Sequence, residues 1–275
     1  MRFHASRMLM CTLMIATAGT STADKIAKSG RELVAENSDA VVTIRMIVEE
    51  TFSFGGMGSD ATETTAETTG SVIQEDGLIV AALSATDPSK FFEGLFENLY
   101  DDDFNIDIRS ELKELTIIMG NGEEISAEIV LRDTDLDLVF IRPESMVDHS
   151  FSHFDLSASV SSEQFERIAV LYRLGNVANR AVTANFPRVL AVMEKPRRMY
   201  VLAAWMDMMG WTGTGRPVMT LDGKFLGITV LRSIKTVGSG AVSLVWDGEN
   251  SAAEVVIPAA DILESALQVP TRSRE

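Results

Sequence analysis

Short apolar runs recur along the chain with turn residues between them. Ala40 to Val48, AVVTIRMIV, is β-branched and apolar and predicts a strand. Gly70 to Ile73 and Leu78 to Ala82 predict two more, joined at Glu75-Asp76-Gly77 by a hairpin turn of the Asp-Gly kind. Leu115 to Met119, the Gly120-Asn121-Gly122 turn, Ile125 to Leu131 and Leu136 to Ile141 continue the pattern. After a polar stretch it resumes at Ile168 to Tyr172, Val182 to Ala184, Val189 to Met193, Met199 to Ala204, Val218 to Thr220, Phe225 to Val230, Ala241 to Val245 and Ala253 to Val256. Two segments interrupt the series: FSFGGMGSDATETTAETTG, 52–70, predicts an exposed loop, and 88–112, where aromatics mix with acids, a loop with at most one helical turn. Helical patterns stand only at the ends. Asp24 to Asn37 puts Ile26, Leu33 and Val34 toward one face, and Pro258 to Leu267 closes the series. Many short strands at this spacing predict an all-β barrel architecture.

The first residues have a different character. Arg2 and Arg7 precede an apolar run from Met8 to Ala16, and small residues follow, the layout of a secretory signal too short to span a bilayer. Cleavage is expected after Ala18 or Ala23, so residues 1–23 read as a signal peptide and the mature protein as periplasmic or secreted, without membrane insertion. Cys11, the only cysteine, lies within that signal, which leaves no disulfide to support the fold. A lipid-anchored reading of Cys11 fails because the apolar run continues past it. Without Arg2 and Arg7, 22 basic residues face 40 acidic ones, a net charge of −18. Such a surface repels phosphate backbones, so nucleic acid is not an expected partner.

Three stretches carry a resemblance. They are GSVIQEDGLIVAALS (Gly70 to Ser84), LRDTDLDLVFIR (Leu131 to Arg142) and TGTGRPVMTLDGKFLGI (Thr212 to Ile228). In this order they resemble the segments of trypsin-like serine proteases, in particular the bacterial HtrA/DegP branch, that end in the catalytic histidine, hold the catalytic aspartate and surround the nucleophilic serine. The resemblance runs from about Ala40 to Leu267. It implies a trypsin-like double β-barrel with a C-terminal helix and a site between barrels, residues 24–150 supplying the N-terminal segment and first barrel and 151–275 the second barrel and helix. It puts Ser84 on the histidine, Asp137 on the aspartate and Thr214 on the serine. Thr212 and Gly213 fall on the oxyanion-hole segment, and Met206, Met208, Met209 and Arg216 border the expected binding cleft.

Acyl transfer by a hydroxyl requires a base to take its proton and a group to orient that base. The sequence has three histidines, His4, His149 and His153, and none between residues 5 and 148. No shift of register restores an imidazole to the first barrel, and a serine hydroxyl is too weak a base near neutral pH. Threonine adds a β-methyl group to the nucleophile, and threonine nucleophiles are ordinarily activated by their own terminal amine, whereas Thr214 is internal. Asp137 then reads as a buried acid bonded to Ser84.

Other groups carry weaker signals. His149 and His153, flanked by Asp148 and Asp155, would share one metal only if DHSFSHFD were helical; Phe151 and Phe154 read instead as a linker packed between barrels. A hydroxyl–lysine dyad would need Lys224 or Lys90. Asp101, Asp102 and Asp103, near Phe91, Phe92, Phe96 and Tyr100, read as a solvated face, with a basic peptide or Ca²⁺ as the alternative. No metal or cofactor is expected. The resulting expectation is an inactive protease homologue that binds a protein or peptide; its alternative is an active serine-type endopeptidase working through Thr214.

Overall fold

The computed structural model describes residues 22–54, 57–58, 61–86, 106–146, 150–158, 160–202, 214–233 and 252–272. Residues 1–21 of the expected signal peptide, the strand at 241–245 and the acidic run at 101–103 lie outside them. No described helix is long and apolar enough to cross a membrane.

Helix α1 (Thr22–Asn37) leads into the first sheet, made of β1 (Val41–Phe54), β2 (Met57–Gly58), β3 (Thr62–Val72), β4 (Ile79–Ala82), β5 (Ile106–Ile118), β6 (Glu124–Asp133) and β7 (Leu138–Pro143). Its order is β2-β1-β3-β4-β7-β6-β5, and pairing of β1 with β5 closes six strands into a barrel. One turn of helix, α2 (Leu83–Thr86), follows β4. The second sheet contains β8 (Ile168–Arg173), β9 (Val182–Asn185), β10 (Val189–Met193), β11 (Met199–Leu202), β12 (Pro217–Thr220), β13 (Phe225–Ser233) and β14 (Ala252–Pro258), and α3 (Ala259–Ala266) ends the series. Here the order is β10-β11-β14-β13-β12-β8-β9. A bridge between Arg167 and Arg188 and a 3.1 Å bond from Ile168 N–H to the Pro187 carbonyl tie the start of β8 to the segment that enters edge strand β10, so the sheet curls into a half-barrel. The chain thus has the trypsin-like double-barrel fold.

Alternation along the strands explains why two barrels pack together. On β4, Ile79 and Ala81 face the first barrel's interior, while Val80 and Ala82 face out into a core shared with the second sheet. Strand β7 divides likewise, Val139 and Ile141 inward, Leu138 and Phe140 outward. On β8, Ile168 and Val170 fill the second barrel while Ala169 and Leu171 join the shared core with Met219, Ile228 and Val230. Strands that are apolar on both faces bury both, so the layer between barrels is as dry as either interior. Phe154 adds to it, its ring stacked 4.7 Å from that of Phe225.

Two expected loops are strand over much of their described parts. Residues 62–70 pair along β1 from Glu50↔Thr62 to Val42↔Gly70, and residues 106–112 pair with β1 as well. Threonine is β-branched and favours the extended chain, but the outer part of β3 is solvated on both faces, so it lacks the alternation that marks a half-buried strand. The expected strand start at Leu136 is a turn. The Asp133 carboxylate accepts the N–H groups of Asp135 and Leu136 at 3.1 and 3.0 Å, and Asp137 takes a left-handed φ of 58° before β7 begins.

Candidate functional site

Pairing of Ala82 with Leu138 across β4 and β7 brings the residues that follow one strand beside those that precede the other. Leu83 N–H donates to the Asp137 carbonyl at 2.9 Å. Ser84 then uses both carboxylate oxygens of Asp137: its N–H donates to Oδ1 and its hydroxyl to Oδ2, each at 2.7 Å. Both are charge-assisted bonds of the strong kind. Burial raises the Asp137 carboxyl above its ordinary range; the bonds from Ser84 and the positive charge of Arg232 oppose that rise.

Thr214 comes from the other barrel and is 8% exposed. Its loop is held by backbone. Gly215 N–H donates to the Thr229 carbonyl at 2.6 Å, Thr229 N–H returns a 3.0 Å bond to the Arg216 carbonyl, and Arg216 N–H reaches Thr229 Oγ1 at 3.2 Å. Gly215 has a φ of 80°, and a Cβ there would stand 2.9 Å from both Ala82 N and Thr69 O. Only glycine tolerates this approach. The loop therefore touches β4 two residues before Ser84, where the barrels meet.

Arg216 packs against an aromatic ring. Its guanidinium lies 4.2 Å over the Tyr172 ring, and its charge partly offsets the burial that raises the Glu254 carboxyl. Thr212, Gly213, Met206, Met208 and Met209 lie outside the described residues. The same holds for His149, Asp148 and Lys90. His153 is exposed, with Nδ1 3.1 Å from the Phe151 carbonyl. Residues 150–158 form no helix, and Asp155 accepts bonds from the Ser157 N–H and hydroxyl. Among the described residues, no three His, Cys, Asp or Glu side chains gather to hold a metal. Lys224 is exposed in the β12–β13 turn and pairs with Asp222 at 3.3 Å, at the far end of β12 from Thr214.

One residue escaped the sequence reading. Arg232, near the end of β13, crosses to the first barrel and donates through Nη2 to the Asp135 carbonyl. Its only signal was a cation closing the apolar strand LGITVLRS. A cavity of about 100 Å³ opens beside Thr86, lined by Val48, Ser110, Leu112, Ile129 and Arg132, but it includes none of the three motif residues.

No family model and no curated protein matches the chain. Solved structures do. The MamO protease domain from Magnetospirillum magneticum, in its apo form, superposes with a TM-score of 0.50 at 15% identity, covering 83% of this chain and 96% of that one. The Rv3671c protease from M. tuberculosis, in its active form, gives 0.53 at 14% identity, covering 88% of this chain and 85% of that one. At such identities the likeness is one of fold.

Proposed function

We propose that this chain is a catalytically inactive protease homologue of HtrA type that retains the cleft between its barrels to bind a protein or peptide. In this reading residues 1–23 direct export to the periplasm or beyond, residues 24–150 and 151–275 build the two halves, and the cleft is bordered by Met208, Met209 and Arg216. The observation that carries it is the Ser84–Asp137 pair. The acid that would orient a base spends both oxygens on a serine, whose hydroxyl can accept a hydrogen bond but is too weakly basic near neutral pH to hold a proton taken from Thr214. The trypsin-like fold supports the peptide cleft; the missing imidazole separates this reading from an active endopeptidase.

The test is a fluorophosphonate probe together with casein digestion by the purified protein and its Thr214→Ala variant. The expected result is neither labelling nor hydrolysis from either. Labelling at Thr214, with hydrolysis abolished in the variant, establishes the endopeptidase alternative instead.

A further inference from the structure

Strands β5 and β6 form a hairpin around the turn at Gly120-Asn121-Gly122 but soon part. They pair at Ile118↔Glu124, Ile117↔Ile125 and Thr116↔Ser126 and not beyond. Past that fork Leu112, Glu114 and Leu115 have their ladder partners in β1 alone, and Ala127, Glu128 and Ile129 theirs in β7 alone. A bulge bends each strand near the fork, at Lys113 in β5 and at Val130 in β6. Each strand therefore turns a main-chain edge toward the gap, and such an edge is what an added strand pairs with.

The gap is an open groove of about 360 Å³ between Leu112–Leu115 and Ser126–Ile129. Its floor is apolar, because Leu115 and Ala127 belong to the first barrel's interior and Leu112 and Ile129 pack against it. The groove joins the cavity of about 100 Å³ beside Thr86, since Leu112, Ile129 and Arg132 line both. Charge is arranged along its length. Of the two cations on its walls, Lys113 is engaged by Glu49 and Glu111 at 3.2 and 2.9 Å. Arg132, where the two openings meet, makes no hydrogen bond or ion pair among the described residues. At the fork stand Glu128 and Glu144, the latter placed by a 2.9 Å bond from its N–H to the Ser126 carbonyl. Neither carboxylate has a partner among the described residues.

We infer that this groove takes an extended peptide ending in an apolar residue with a free carboxylate. The peptide runs antiparallel to β5. Its last side chain enters the smaller cavity against Val48 and Leu112, and its carboxylate meets the Arg132 guanidinium in a charge-assisted pair. Side chains alternate along an extended chain, so the third residue before the last points away from the floor, about 10 Å back, toward Glu128 and Glu144. A basic residue fits there. The groove lies in the wall of the first barrel, apart from the cleft between barrels, so the inference does not depend on the inactive reading.

The test is fluorescence polarisation of the purified protein with fluorescein-labelled Lys-Val-Thr-Val, as the free acid and as the C-terminal amide. Arg132, Glu128 and Glu144 are exposed, so their variants are expected to fold, which thermal unfolding checks. The free acid should bind saturably, and the amide at least about tenfold more weakly. Arg132→Gln should weaken the acid about tenfold and remove the difference between acid and amide, the signature of a direct pair. Glu128→Gln combined with Glu144→Gln should weaken both peptides about threefold and leave their ratio unchanged. Acid and amide binding alike, an Arg132→Gln variant that still distinguishes them, or no saturable binding below about 1 mM overturns the inference. So does displacement of the labelled peptide by isovalerate at the concentration at which unlabelled peptide displaces it, because the carboxylate alone is then recognised and no strand is added.

Discussion

The two halves of the candidate site are held by different physics. On the first barrel Ser84 and Asp137 are fixed by side-chain hydrogen bonds, two of them 2.7 Å long, between residues 53 positions apart. On the second barrel the Thr214 loop is fixed by backbone bonds to Thr229 and by the press of Gly215 against Ala82 and Thr69. Polar pairs can be exchanged for others of similar shape at moderate cost, as the presence of Ser84 where the resemblance expects an imidazole illustrates. A backbone approach at van der Waals distance admits no such exchange. The comparison teaches that the chemistry of the site can change while the meeting of the barrels persists.

Gly215→Ala attacks that meeting directly and should have the largest effect. The new methyl group would stand 2.9 Å from two backbone atoms of the opposite barrel, which have no rotamer to escape into, and its φ of 80° is strained for any residue with a Cβ. Left-handed strain and overpacking together predict a loss of about 3 kcal/mol or more. Urea unfolding measures it; a loss below about 1 kcal/mol would show that the loop moves freely against β4 and that the barrels are not registered there.

Ser84→Ala tests the other half and should cost less. It removes the hydroxyl donor to Asp137 Oδ2 but leaves the backbone donor to Oδ1, so the carboxylate remains half satisfied. The expected loss is about 1–2 kcal/mol, with the melting transition still cooperative. A cost matching that of Gly215→Ala would erase the distinction between the two halves.

How much of this was readable beforehand depends on what each segment buries. Strands β4, β7 and β8 were legible because both faces are apolar, Val80 and Leu138 outward as Ile79 and Val139 inward. The turn at Asp76-Gly77 was legible because glycine is required there: Gly77 has a φ of 84°, and the Asp76 carboxylate accepts Leu78 N–H at 3.2 Å. The outer part of β3 was not, since Thr62 to Thr65 are exposed on both faces and are ordered by ladder bonds that no side-chain period reports. The convergence of Ser84 with Asp137 came only through motif resemblance, because composition is silent about a pair 53 residues apart. Arg232 had neither period nor motif to reveal it. Its significance is a long side chain's reach across a junction, which a linear pattern does not encode.

The smallest effect concerns charge and sharpens the contrast further. Burial raises Asp137 above the ordinary aspartate value of 3.8, while Ser84 and Arg232 hold the rise in check. A carboxyl whose folded pKa lies above its unfolded one contributes most below the unfolded value, because the folded chain keeps its proton longer. That contribution fades as pH climbs from about 4 and is gone once the folded value is passed. In Asp137→Asn this fading is absent, so the stability of the variant relative to the parent should rise across the same interval and then level off. Arg232→Ala should extend the interval upward, since removing the cation leaves burial less opposed. Urea midpoints taken through the acid range would show it. A flat difference in Asp137→Asn would mean that burial does not perturb the carboxyl on balance, and one that falls with pH that the Ser84 bonds and Arg232 outweigh burial; either outcome would overturn desolvation as what dominates the first barrel's half of the site.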